Sequence, residues 1–290
     1  MDGLNFIVPY ADPSYKNLRK SLLLASPGQQ DGVLDLDGYF GLNPRAAALQ
    51  PLFAAGQARA LHAVGYDLNT RSHFEEQDTW ETGVTGNTVS SDGWLNRHLV
   101  TSSGHGPVRA VSIGDNLPRI LRGKAPAFAL HGIEDLSLPS MTKGDDIAIR
   151  AALEHAYCTP LPEHRMAAQD LLSETARTTI DGIDIIKKAA GQGYQPGATY
   201  PKNEFSRRLS EAARLIKSNI GIEIIEIDYG GWDTHQAQGG IIGSYGNLVQ
   251  NLAEGLAAFH KDMGDRMNDT LVLTISDFGR TAAENGTGGT

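Results

Sequence analysis

The chain has 290 residues, 40% of them hydrophobic and 20% charged, with a formal net charge of −9. That acidic balance, with an isoelectric point near 5.4, argues against a broad basic surface for nucleic acid or anionic membrane, but it leaves room for a local basic pocket that holds a small anion. The single cysteine, Cys158, excludes an internal disulfide and a thiolate metal cluster, and no run is long and apolar enough to span a bilayer.

Taken in chain order, strands alternate with helical patterns, which favours a mainly parallel sheet flanked by helices. The opening Met1-Asp-Gly-Leu-Asn reads as the end of a strand. A helix is expected over Pro44–Ala55, followed by a strand over Ala58–Gly65. A helix over Asp92–Val100 then leads to strands over Val108–Gly114 and Ala127–His131. Helices follow over Asp145–Tyr157, Glu163–Ala190 and Glu204–Ser218. In the long one, Leu172, Ala176, Ile180 and Ile183 hold the apolar face, Lys187 and Lys188 suit the negative helix end, and Gly191 stops it. Gly191–Asn203 reads as a surface loop.

Two β-branched runs, Gly221–Asp228 and Thr270–Asp277, are the clearest strands, each ending at Asp. Between them Leu248, Leu252, Leu256, Phe259 and Met263 recur every three or four residues, which makes a strand–helix–strand unit. There is no internal repeat or low-complexity tract. One domain is expected over residues 1–290.

Four stretches carry candidate chemistry. In Gly-Gly-Trp-Asp-Thr-His, Asp233 and His235 offer an oxygen and a nitrogen from one tight loop, which suits zinc or another divalent ion; capping by Asp233 and simple exposure of His235 is the structural alternative. In Ser-Asp-Phe-Gly-Arg-Thr, Asp277 ends a strand and Arg280 is placed to hold an anion, or the two close the loop as an ion pair. In Thr-Arg-Ser-His-Phe, Ser72 stands at the start of a helical turn beside Arg71 and His73, fit to attack an anionic ester once its hydroxyl is activated. With Glu75 three residues on, Ser72 is equally read as the cap of that turn. Asp2, beside Gly3, adds a further carboxylate. Cys158-Thr-Pro-Leu-Pro begins like the cysteine motif that sulfatases convert to formylglycine, but the serine and arginine that should follow are absent, and Cys158 reads as a packed thiol.

Together the motifs Asp-Gly-Leu-Asn…Val-Pro-Tyr-Ala-Asp-Pro, His-Ala-Val-Gly…Arg-Ser-His-Phe, Asp-Gly-Trp-Leu-Asn-Arg, Gly-Gly-Trp-Asp-Thr-His and Ser-Asp-Phe-Gly-Arg-Thr…Gly-Thr-Gly-Gly-Thr resemble one family over essentially the whole chain. It is the bacterial domain of unknown function 1501 family, a sulfatase-like branch of the alkaline phosphatase superfamily. The resemblance implies an α/β fold with a mainly parallel central sheet flanked by helices on both faces. It also implies one or two divalent ions, zinc, manganese or calcium, at the sheet's carboxyl edge. By motif, Asp2, Asp233, His235 and Asp277 take the metal positions and Ser72 the nucleophile position, with Arg71 and Arg280 neutralising the substrate's charge.

The chain departs from the superfamily pattern in three ways. Phe278 stands where a His commonly follows the Asp, the Asp-to-His spacing at Asp233 and His235 is short, and the sequence stops at Thr290, where members continue into Asp-His-Gly. The first strand and the last ligand segment are therefore expected to be missing, and the site to be incomplete. The function implied is hydrolysis of a small anionic phosphate or sulfate ester; the alternative is a non-catalytic member of the fold that binds a ligand or partner. Members carry an export signal of the twin-arginine kind, so the periplasm or cell surface is implied, although no signal peptide is read in these residues.

Overall fold

In the computed structural model, which describes residues 1–67, 70–85, 90–134, 136, 145–158, 167–191 and 193–290, helices predominate and the strands are short. In chain order the elements are β1 (Ile7–Val8), α1 (Pro13–Leu18), β2 (Leu34–Asp35), β3 (Gly41–Leu42), α2 (Gln50–Ala54), α3 (His73–Thr82), α4 (Trp94–Thr101), β4 (Ala110–Ile113), β5 (Phe128–Leu130), α5 (Asp145–Leu153), α6 (Ala167–Ala190), α7 (Glu204–Lys217), β6 (Ile224–Glu226) and α8 (Ser244–Met263). The class is mixed α/β. The chain divides into two compact units, one of residues 1–77, 197–209 and 229–290, the other of residues 78–196 and 210–228.

In the first unit, α8 is the organising element. Val249, Leu252, Ala253, Phe259 and Met263 form its buried stripe, as the periodicity of the sequence requires. Tyr245, Val249 and Ala253 pack with Ile7, Leu42, Ala46 and Leu49. A three-stranded antiparallel sheet in the order β1-β3-β2 lies in this unit, with Leu42 opposite both Ile7 and Leu34. Gly255 lets α8 approach the first turns of α7 closely: a Cβ there would lie 2.9 Å from Ser206 Oγ and 3.2 Å from a Leu209 methyl.

Helix starts follow capping chemistry. Asp12 accepts the Ser14 amide at 2.8 Å ahead of Pro13, and Asn43 accepts the Arg45 amide at 2.9 Å ahead of Pro44. The single helix expected over Pro44–Ala55 is a 3₁₀ segment, Pro44–Leu49, followed by α2. Pro51 has no N–H to continue a ladder, so the helix restarts there.

A buried polar network closes the first unit. Arg19 and Asp2, 0% and 1% exposed, form a two-pronged ion pair with distances of 2.6 and 3.0 Å. Arg19 also donates to the Thr281 and Ala282 carbonyls. Gln238, fully buried, donates to Asp2 at 2.6 Å, while its carbonyl accepts the Thr234 and Thr290 hydroxyls at 2.8 and 2.9 Å. Tyr245 donates its hydroxyl to the Asp2 carbonyl at 2.5 Å. Every branch is satisfied, as buried polar groups must be to avoid a desolvation penalty.

In the second unit a parallel sheet runs β5-β4-β6, with Val111 opposite Phe128 on one side and Ile225 on the other. All four residues of the central strand β4 are buried, the mark of a parallel strand covered on both faces. Three of the strands expected from the sequence are thus present within their bounds. In α6, Ser173, Gly182, Ile186 and Ala189 are buried whereas Leu172 is 52% exposed, so the inward face is rotated from the one expected. The ring of Phe128 fixes that rotation, since a Cβ at Gly182 would lie 2.2 Å from it. Gly191 ends the helix, its amide bonded to the Lys187 carbonyl at 3.0 Å. The Cys158 side chain, residues 163–166 and part of the Gly191–Asn203 loop (Gln192) lie outside the described residues.

Two expected strands are corrected. Ala58–Gly65 is irregular, with Leu61 78% and Val64 63% exposed. Thr270–Asp277 joins no ladder among the described residues, and Leu271, Val272, Leu273 and Ile275 are exposed. A β-branched run becomes a strand only through partners on its edges and cover on its faces. Its composition alone was a statement about the partners it needs.

Two predictions arise from these contacts. Arg19→Met leaves Asp2 charged and buried without its partner, so denaturation should show a loss of about 3–5 kcal/mol, with most of it recovered by combining Arg19→Met with Asp2→Leu. In the second unit, burial and the charge of Asp228 push the Glu226 carboxyl up to about 7, against a hydrogen bond of 2.7 Å donated by Ser112 Oγ. A carboxyl raised in the folded state binds its proton more tightly there. Its contribution is therefore complete below the unfolded value near 4.5 and is lost as pH rises through 7. Glu226→Gln should thus stabilise the protein at pH 8 by roughly 2 kcal/mol relative to its effect at pH 4, read from urea melts at both pH values.

Candidate functional site

In the loop Tyr229–Gln238, Thr234 and Gln238 are buried and Trp232 is half-buried, while Asp233 and His235 are exposed. Trp232 packs edge-on against Tyr229 (5.4 Å) and Tyr245 (5.9 Å), and Thr234 is 7% exposed with its hydroxyl on Gln238. Asp233 and His235, on either side of Thr234, are left 47% and 63% exposed. The segment Thr287–Thr290 lies directly on this loop: Ala237 and Gln238 donate their amides to the Thr287 and Gly288 carbonyls at 3.0 and 2.8 Å. Only glycine fits at 289, where a Cβ would fall 2.3 Å from the His235 carbonyl.

The start of α3 brings a third limb. Ser72 caps this helix, its hydroxyl accepting the Glu75 amide at 3.4 Å and its carbonyl accepting the Glu76 amide at 2.9 Å, so the capping alternative for Ser72 is realised in the fold. One turn into the helix Glu76, 4% exposed, accepts from Tyr66 Oη and from the Thr70 amide and hydroxyl at 3.1 and 2.9 Å. Those bonds hold the Glu76 carboxyl below its usual range against the opposing effect of burial. Arg71, between this clasp and the cap, takes a left-handed conformation (φ +54°) with its side chain exposed.

His73, the first residue of α3, is the hub. Its Nδ1 is hydrogen-bonded to Asp277 Oδ2, its Nε2 is 3.4 Å from Asp233 Oδ1, and its ring lies against Phe278 with centroids 4.5 Å apart. The bond to Asp277 raises the His73 pKa. Burial pushes Asp277 up, but the His73 ring and the Phe278 amide outweigh it and hold that carboxyl low. The other oxygen of Asp277 accepts the Phe278 amide at 2.9 Å and the Ser276 hydroxyl at 3.2 Å.

Asp233 Oδ1 also receives His235 Nε2 at 2.7 Å and Arg280 Nη1. Burial raises the Asp233 carboxyl, and the charges of Arg280 and His235 more than reverse this. Arg280, 4% exposed, further donates to His235 Nδ1 at 2.8 Å and to the Thr290 main-chain oxygen at 2.9 Å.

Of the residues singled out from the sequence, Asp233, His235, Asp277 and Arg280 therefore gather in one place, with Ser72 next to the His73 that links them. The Asp2 carboxylate is taken up by Arg19 and Gln238. His73 went unassigned in the sequence reading, although it stood in the same Arg-Ser-His-Phe motif. Arg19 and Gln238 gave no signal, because nothing local marks an arginine that will be buried.

Residues 55–290 match the family described as protein of unknown function (DUF1501). The chain belongs to that family. No curated protein and no solved structure matches it. The DUF1501 match takes in Ser72, His73, Asp233, His235, Asp277 and Arg280, while Asp2 and Arg19 precede it. The gathered side chains of this DUF1501 protein offer only oxygen and nitrogen donors, a set that suits zinc or a harder divalent ion. Among the described residues they are bonded to one another, and no three stand in ligating geometry.

The cap gives a test separable from chemistry. The 3.4 Å bond from the Glu75 amide is long, so Ser72→Ala should cost about 0.5–1 kcal/mol of stability and Ser72→Gly only a few tenths, measured by thermal or urea unfolding.

Proposed function

We propose that the chain is a metal-dependent hydrolase of small phosphate or sulfate esters, built on the sulfatase-like plan of the alkaline phosphatase superfamily. The observation that carries this reading is the convergence of Asp233, His235 and Asp277, drawn from two distant segments, on the helix start that bears Ser72. A divalent ion such as zinc, manganese or calcium would be held there by Asp233 and His235, with Asp277 across from them, and would supply positive charge for the ester oxygens and for a hydroxyl losing its proton.

The chain's own residues do the rest. Ser72 Oγ is the nucleophile, on a short rigid helix start whose amides face developing negative charge. Arg71 is exposed and meets the anionic group of the substrate. Arg280 supports Asp233 and His235 at rest, and takes part in substrate binding only once released from them.

The second reading, a ligand-binding member without turnover, is favoured by a different observation. The Phe278 ring, standing where the superfamily commonly has a ligating His, lies against His73 and cannot bind an ion. A periplasmic or cell-surface location belongs to the same proposal and rests on the family resemblance.

Both readings meet the same experiment. The full chain and its Ser72→Ala, Ser72→Gly and His235→Ala variants are supplied with zinc, manganese or calcium, analysed for metal by elemental mass spectrometry, and assayed on 4-nitrophenyl phosphate and sulfate. The hydrolase reading expects bound metal that is lost with His235, and turnover that falls at least about 10³-fold in both Ser72 variants. Metal binding with turnover absent gives the binding reading its place, and turnover untouched by removal of the Ser72 hydroxyl removes Ser72 from the role of nucleophile.

A further inference from the structure

Arg71 holds a left-handed conformation (φ +54°) immediately before Ser72. A non-glycine residue keeps such a backbone only where its surroundings over-determine it. What holds it is a closed ring of bonds between Thr70 and Glu76. Thr70 donates both its amide and its hydroxyl to Glu76 Oε1, at 3.1 and 2.9 Å. With its proton committed there, the Thr70 hydroxyl accepts the Ser72 amide at 3.2 Å. On the other side the Ser72 carbonyl accepts the Glu76 amide at 2.9 Å. Glu76 thus closes on both backbone groups of Ser72, and Arg71 is the corner through which the ring bends.

Helix capping alone does not call for this arrangement. A capping box takes its carboxylate from the third residue after the cap. That residue is Glu75, and it is exposed. The buried carboxylate is the next one, Glu76, 4% exposed. Glutamate is almost never buried without partners, because removing its charge from water is costly. Here the cost is met by Tyr66 Oη and the two donors of Thr70, all of them on the lead-in to Ser72 rather than on the helix.

We propose that Glu76 is a positioning residue for Ser72: acting through Thr70, it fixes the backbone that aims the Ser72 hydroxyl. The role rests on Ser72 being the nucleophile, as proposed above, and deepens that reading. The Ser72 hydroxyl itself accepts the Glu75 amide at 3.4 Å, so the amide, carbonyl and hydroxyl of one residue are all engaged. A reacting atom displaced by about 1 Å loses on the order of 10²-fold in rate. A nucleophile on a loop-to-helix junction therefore needs supports whose own positions are locked, and a buried carboxylate with three donors on it is such a support.

The Thr70 hydroxyl is the link that can be cut without altering Ser72 or Glu76. Thr70→Val removes it at nearly constant shape, and Thr70→Ser keeps it. Both, with Glu76→Gln, are compared with the full parent chain on 4-nitrophenyl phosphate and sulfate in the presence of zinc, manganese or calcium. The temperature is one at which circular dichroism shows every variant folded. The expected result is a fall in kcat of about 10–100-fold in Thr70→Val and Glu76→Gln, with KM little changed, and recovery in Thr70→Ser. A role confined to stability would lower the melting temperature and leave the kcat of the folded protein as it was. Hydrogen exchange at the Ser72 amide, followed by NMR, should quicken in Thr70→Val, and this readout needs no turnover.

A folded Thr70→Val with the kcat of the parent overturns the positioning role and leaves Ser72 as the nucleophile. An equal loss in Thr70→Ser overturns it too, since the hydroxyl is then not the link. So does a Ser72 amide that exchanges alike in the parent and in Thr70→Val. A folded parent that turns over neither ester removes the nucleophile reading, and the positioning role falls with it.

Discussion

The first unit depends on placing one full positive charge and one full negative charge where water does not reach. Removing Arg19 and Asp2 from solvent carries a desolvation penalty that only close geometry and complete hydrogen bonding offset. The fold meets that condition by recruiting distant pieces of chain: Gln238 and Tyr245 from the loop and helix that follow the Asp-Thr-His turn, and the carbonyls of Thr281 and Ala282 from the Arg280 strap. A pair so demanding specifies rather than merely stabilises, because any other register of these segments would leave a buried group without a partner.

The candidate site sits on the outer side of this lock. Thr234 points inward to Gln238, and the alternation that buries it turns Asp233 and His235 outward. Arg280 is fixed by the same segment whose neighbouring carbonyls bind Arg19. Rigidity at the exposed carboxylate and imidazole is thus borrowed from the buried pair a few residues away, which is how a polar cluster on loops keeps the precision that chemistry requires. The electrostatics agree: the Asp233 and Asp277 carboxyls are both held below their usual range, against the effect of burial, by the groups that bond them.

How much of this was legible in the sequence follows from the range of the interactions. The apolar stripe of α8 and the buried run of β4 are local periodicities, and both could be read from neighbours three, four or two residues apart. The Asp233-Thr-His235 and Asp277-to-Arg280 motifs stand out in the sequence as polar groups among glycines, and the fold joins them through the pairs of Asp233 with His235 and Arg280. Long-range facts were not legible. Arg19 looks like any surface arginine until Asp2, 17 residues away, and Thr281, 262 residues away, are brought to it. Thr270–Asp277 has every residue of a central strand, yet strand formation belongs to the pair and not to the segment. His73 carries no local mark of the two carboxylates, Asp277 and Asp233, that meet its ring from distant segments.

That last segment bears on the site more than its exposure suggests. Of the limbs that meet at Asp233, the Asp-Thr-His loop is tied to the buried network and the start of α3 is tied by the Glu76 clasp. Asp277 is held at its own end by Ser276, the Phe278 amide and His73, while the apolar residues before it, Leu271 to Ile275, are exposed. The His73–Asp277 bond therefore works in both directions. It orients the His73 ring, and it fastens the least supported limb to the best supported one.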